Sequence, residues 1–194
     1  MRFGKAPLAY ACGSVITMTH KLIELGTFFG LRLTAKPSVL GGTALVWAVW
    51  TAVTALVFGL GWGQALLVGL GATLLHWLSE FSHQLGHAWA ARRVGHPMLG
   101  IRFWGLLSTS IYPVSEGDLP AGVHIRRALG GPFFSLILSL VGGLLLVLTP
   151  SLAPAWRSLL WFFFIENFFI LTLQIFVPLG FNDGGTLLYW LRRH

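Results

Sequence analysis

The chain has 194 residues, 55% of them hydrophobic and 10% charged, and a mean hydropathy of +0.75. A soluble domain has about a quarter of its residues charged, so this composition excludes a water-soluble fold and makes the bilayer the solvent. The net charge of +7 and the pI of about 10.6 do not point to nucleic acid, because the basic residues cluster beside apolar spans, where topology and lipid headgroups account for them.

In chain order, Arg2 to Met18 has a basic start and a short apolar run, read here as an amphipathic or membrane-resting segment rather than a signal peptide. The lone cysteine, Cys12, excludes an intramolecular disulfide and any cysteine zinc cluster. Residues 1–37 are assigned to an N-terminal membrane-proximal segment and 38–194 to a transmembrane domain. No charged residue falls between Lys36 and Glu80, which is room for two helices of about 20 residues. The Gly59-Leu60-Gly61-Trp62-Gly63 turn divides them into predicted spans over 38–60 and 64–92. Residues 97–113 mix Arg102, Gly105, Ser108, Thr109, Ser110 and Tyr112 with apolar residues and predict a short hairpin or re-entrant segment packed on protein. A third span is predicted over 129–148 and a fourth over 158–176, with Pro150 and Pro154 between them. After Pro178-Leu179-Gly180 a short helix over 184–191 closes the chain. The expected fold is therefore an all-α polytopic membrane protein of about four transmembrane helices, with the hairpin and flanking amphipathic helices. Every Lys and Arg except Arg157 falls on one side of this layout, which the positive-inside rule makes cytoplasmic, together with both termini.

The second span holds His83-Gln84-Leu85-Gly86-His87. Histidines at i and i+4 share a helix face, so both imidazoles can reach one metal ion. The usual zinc-hydrolase pattern is H-E-x-x-H, whose glutamate is the general base; here that position is Gln84. Ionisable groups inside a span are costly and usually functional. A catalytic Zn²⁺ takes three protein ligands and keeps one position open. Asp183, the only acid after Glu166, is the candidate third ligand, with helix capping as the alternative. His87 lies about 8 Å along the helix from Arg92, and Asp183 lies shortly before Arg192, so both approach the same face. Glu80 lies a turn before His83 and His76 a turn further back. Glu80 either orients His83, replaces the missing base through water, or is a carboxyl balanced by His76. Glu166 and Asn167 fit an interhelical hydrogen bond or a substrate-positioning role. His20, His96, His124 and His194 fall outside the predicted spans and are given no role.

These motifs resemble those of the site-2 protease family of intramembrane zinc metalloproteases. His83-Gln84-Leu85-Gly86-His87-Ala88, with Ala90-Ala91-Arg92-Arg93 and Gly95, is similar to the family's H-E-L-G-H-A-x-A-A-R-x-x-G helix. Arg127-Ala128-Leu129-Gly130-Gly131-Pro132 resembles its A-G-P entry to the third span, and Val177-Pro178 through Asn182-Asp183-Gly184-Gly185 its N-x-x-P…D-G-G segment. The resemblance implies Zn²⁺ on His83, His87 and Asp183, and hydrolysis of transmembrane or membrane-associated peptides. Three departures stand out: Gln84 at the general-base position, Ser135 where the family has a substrate-positioning asparagine, and Asn182 before the aspartate. Gln174 falls near the family's last asparagine. Glutamine keeps the shape of glutamate but cannot take up a proton, so the chain is either a protease whose base has been replaced or a non-cleaving relative that binds a membrane helix or lipid-like ligand.

Overall fold

The computed structural model describes residues 22–193; the expected amphipathic segment over 2–18 lies outside them. The first described elements are strands. β1 (Ile23–Phe28) and β2 (Leu31–Ala35) form an antiparallel hairpin across Phe29-Gly30, both with positive φ, 48° and 78°. Two left-handed residues in a two-residue loop match the twist of the flanking strands. β3 (Gly100–Trp104) and β4 (Leu107–Ile111) form a second hairpin, turning at Gly105 with φ 54°. This is the short hairpin expected over 97–113. β2 pairs parallel with β3, giving one sheet in the order β1-β2-β3-β4. The membrane-proximal segment is thus joined to the transmembrane part by a strand ladder, which the sequence analysis did not anticipate.

Among the described residues, four helical runs are long and apolar enough to cross a membrane: α1 (Ser38–Leu56), α2 (Trp62–Arg93), α3 (Ala121–Leu148) and Pro154–Phe176. The fourth starts as α4 (Pro154–Ile165), widens into a π-helical stretch at Glu166–Thr172 and tightens to 3₁₀ at Leu173–Phe176. A short α5 (Asp183–Leu191) follows. The third run starts at Ala121 rather than at 129, because Arg126 and Arg127 lie inside the helix instead of bordering it.

The chain is a polytopic membrane protein turned inside out relative to a soluble one. Leu67, Leu74 and Leu144 are exposed, while His76, Glu80, His83, Gln84, Ser135 and Asn167 are buried. Apolar side chains face lipid, and polar groups find partners within the bundle. Near the site, α2 and α3 touch backbone to backbone. A Cβ on Gly86 would lie 2.3 Å from the Gly130 carbonyl oxygen, and one on Gly130 2.4 Å from that of Gly86. Such small-residue crossings let dispersion and packing hold helices together where the hydrophobic effect is absent. On the flank, Leu31, Ala35, Ile101 and Phe103 of the sheet pack on Ala88 and Ala91 of α2. The sheet is thereby laid along the helix that carries the histidine pair.

Candidate metal centre

His83 and His87 sit one turn apart on α2, nearly fully buried, with their Nε2 atoms 3.1 Å apart. Asp183, the first residue of α5, brings Oδ2 to 3.1 Å from His83 Nε2 and Oδ1 to 3.3 Å from His87 Nε2. Ligand atoms at 2.0–2.2 Å from a tetrahedral ion stand about 3.3 Å apart, so the three atoms have the spacing of three corners of such a site. These residues form the metal-ligand cluster found among the described residues.

The outer nitrogens fix the rings. His87 Nδ1–H donates to the Arg127 carbonyl at 2.8 Å, and His83 Nδ1 lies 2.9 Å from Ser135 Oγ. These outer contacts suit the tautomer a metal needs, in which each Nδ1 carries the proton and the Nε2 lone pairs face inward. The space between them is kept by Gly131, where a Cβ would lie 2.3 Å from His87 Nε2 and 2.5 Å from His83 Nε2. The donor set, the outer ring contacts and the glycine all fit a bound metal ion.

Asp183 is placed by its neighbour. Asn182 Oδ1 accepts from the Gly185 amide at 2.9 Å and the Leu179 amide at 3.1 Å, while Nδ2 donates to the Val177 carbonyl at 2.8 Å. Asn182 is therefore the N-cap of α5. The capping role considered for Asp183 belongs to Asn182, which leaves the aspartate free to face the histidines. Burial works against the Asp183 charge, but His87 and His83 outweigh it and hold the carboxyl well below its usual range.

β4 runs beside α2 on the other side of the pair. Ser110 Oγ donates to Gln84 Oε1 at 2.7 Å, and Ser108 Oγ donates to Glu80. Two residues on a strand advance about 6.6 Å and four on a helix about 6.0 Å, so alternate serines match successive turns. Glu80 is thereby tied to β4. Its hydrogen-bond partner is Ser108, and the Nδ1 atom of His83 is taken by Ser135. Nor does His76 balance Glu80 through a hydrogen bond: His76 Nδ1 lies 2.8 Å from Glu166 Oε1, linking α2 to the fourth run. Asn167 Nδ2 donates to Ser79 Oγ of α2, an interhelical hydrogen bond, and to the Phe163 carbonyl of its own run, both at 2.9 Å. Thr172 donates to the Asn167 carbonyl five residues back within the π-helical stretch. The register change there carries Gln174 to the site, its Nε2 3.5 Å from His83 Nε2.

Three groups at the site were not singled out for a role there from sequence. Ser110 carries a signal in the period-two alternation Ser108, Ser110. Arg127 is buried, its guanidinium on Glu116 and on the His96 carbonyl; the Arg127 cation holds the Glu116 carboxyl below its ordinary value. His124, inside α3 rather than outside the spans, stacks on Trp190 at 4.1 Å. A cavity of about 440 Å³ opens over Gln84, His87 and Asp183, walled by β4, the loop carrying Glu116 and the His124–Trp190 stack. Burial pushes the Tyr112 phenol in its wall up to about 12 against the Arg127 cation, so it remains a neutral hydroxyl.

Ser135 gives a test of the ring-orienting contacts. Ser135→Ala removes the Nδ1 partner of His83 and is expected to weaken zinc affinity about 10- to 100-fold, measured by competition with a chromophoric chelator. Unchanged affinity would mean that the contact does not orient a metal ligand.

No family model and no curated relative matches the chain. Among solved structures, a Site-2 Protease from Methanocaldococcus jannaschii is similar, with a TM-score of 0.59 and 17% identity over 89% of this chain and 72% of that one. At that identity the likeness establishes a shared fold, a polytopic membrane architecture of the site-2 protease kind.

Proposed function

We propose that the chain belongs to the site-2 protease family and holds Zn²⁺ on His83, His87 and Asp183, in a site built to hydrolyse peptide bonds of membrane-embedded substrates. The observation that carries this reading is the converging triad of ligand atoms at 3.1–3.3 Å with both outer imidazole nitrogens engaged. When bound there, zinc would supply a Lewis acid that polarises a peptide carbonyl and acidifies water. Gln84 occupies the position of the general base, and its Oε1 accepts the Ser110 hydroxyl. An amide cannot accept a further proton, so the form present here binds substrate with little or no turnover. β4 is the outer strand of the sheet, and its residues line the cavity. Its free edge offers backbone donors and acceptors to an unwound peptide. Gln174, Ser135 and Asn182 act by positioning: Gln174 beside His83, Ser135 behind it, and Asn182 under Asp183. The decisive experiment is restoration of cleavage by Gln84→Glu.

The same reading puts the site near the cytoplasmic face, with both termini on that side. With Cys12 replaced by serine, single-cysteine variants next to Arg92 and Arg193 are expected to react with an impermeant maleimide from the cytoplasmic side, and one at Trp62 from the opposite side. Reaction of all three from one side would break the four-span topology.

A further inference from the structure

On the face of α2 and α3 away from the cavity, a groove of about 850 Å³ runs between these helices and the end of the fourth run. Its walls are apolar, built on Trp89, Phe133, Leu136 and Phe168, and Trp89 and Phe133 stack across the α2–α3 junction at 6.4 Å. Two cations stand among these walls. Arg93 is the last residue of α2, and Arg126 lies in the second turn of α3. Helix polarity puts both at the same end of the groove, since α2 ends where α3 begins. The Arg93 guanidinium is held 5.3 Å from the Trp89 ring centroid, which keeps it at the rim.

Neither arginine has a carboxylate partner among the described residues. None of the six acids of the chain forms an ion pair with either arginine. Glu24 pairs with Arg32, Glu116 with Arg127, Glu166 with His76 and Asp183 with the histidine pair. Glu80 takes Ser108, and Asp118 lines the other cavity. Two unpaired guanidiniums at the end of an apolar channel between helices therefore call for an anion from outside the chain. The channel needs an apolar tail on that anion.

We infer that this groove binds one anionic phospholipid, its phosphate between Arg93 and Arg126 and an acyl chain along Trp89, Phe133 and Phe168. Basic pockets between transmembrane helices at the cytoplasmic side have this chemistry, and each cation near an anionic headgroup favours it measurably over a zwitterionic one. The site does not depend on the protease reading.

Native mass spectrometry of the full-length protein in mild detergent, titrated with phosphatidylglycerol or phosphatidylcholine of identical chains, tests the inference. One phosphatidylglycerol per chain is expected, bound at least about tenfold more tightly than phosphatidylcholine. R93Q/R126Q should bring the two lipids to parity, whereas R192Q/R193Q, which removes charge outside the groove, should leave the preference intact. L136W, which fills the channel, should weaken both lipids. Equal binding of the two lipids by the unmodified protein overturns the proposal, as does a preference untouched by R93Q/R126Q or lost equally in R192Q/R193Q. A dimer that forms in place of the lipid adduct and is broken by L136W would assign the groove to a second copy instead.

Discussion

Gln84→Glu is expected to raise peptide hydrolysis by about 10² to 10⁴-fold or more, the usual contribution of a positioned general base. The substitution is nearly isosteric, and its surroundings suit the carboxylate. Ser110 Oγ, which donates to Gln84 Oε1, can donate to a carboxylate oxygen as well. The proposed ligands His83 and His87 keep their places on the same helix, so zinc content should not change. The assay is cleavage of a membrane peptide by the reconstituted, zinc-loaded protein, with the unmodified chain and the Gln84→Glu variant compared at equal metal occupancy. If the Gln84→Glu variant stays inactive with zinc bound and several membrane peptides supplied, the protease reading fails and a non-cleaving binder takes its place. A third outcome is that the unmodified chain itself cleaves and Glu80→Gln stops it without loss of zinc. That would make Glu80 the base, with the Ser108 hydroxyl, its present partner, displaced in the active state.

Much of this architecture was legible in the sequence because lipid imposes a strict rule: a span must be long, apolar and helical. The charge-free stretches after Lys36 and after Arg127 therefore translate directly into helices. The i, i+4 histidines needed only helix geometry to be placed on one face. The strands were harder. Ile23-Glu24-Leu25-Gly26-Thr27-Phe28 is short and carries a glycine, and the partner that joins its hairpin to the sheet, β3, lies at Gly100–Trp104. A pairing so distant in sequence leaves no local trace. The partners of single polar groups were the least readable. Ser135, Ser110 and the Arg127 carbonyl are ordinary in sequence, and only the Gly86–Gly130 crossing and the run of β4 along α2 bring them to His83, Gln84 and His87. The same holds for the cap of α5: Asp183 was the residue weighed for it, and only the loop's hydrogen bonds give the role to Asn182.

Gly131→Ala is expected to remove the metal while leaving both histidines in the chain. The added Cβ would stand 2.3 Å from His87 Nε2, 2.5 Å from His83 Nε2 and 2.6 Å from His87 Cε1. Real Cβ atoms do not approach ring nitrogens so closely, so either the rings turn away or α3 shifts from α2. α3 lies close against α2 at the same spot, since a Cβ added to Gly86 would stand 2.3 Å from the Gly130 carbonyl oxygen. If the rings turn, their Nδ1 bonds to Ser135 and the Arg127 carbonyl break; if α3 shifts, both partners leave with it, since Ser135 and Arg127 belong to α3. Loss of one outer hydrogen-bond partner costs 10- to 100-fold in metal affinity; displacing two ligand nitrogens should cost more than about 100-fold. Purified protein is expected to carry about one zinc per chain, and Gly131→Ala nearly none, as in the His83→Ala/His87→Ala double variant. Gly143→Ala on the same helix, whose Cβ would meet only the Phe164 ring at 3.3 Å, should keep its zinc and controls for helix tolerance. Zinc by elemental analysis and helicity by circular dichroism are the two readouts. If Gly131→Ala holds stoichiometric zinc at unchanged affinity, the ion does not sit between the two Nε2 atoms, and the metal centre must be sought elsewhere. If Asp183→Ala does so while the histidine variants lose it, the pair stands but Gln174, at 3.5 Å from His83 Nε2, becomes the candidate for the third contact.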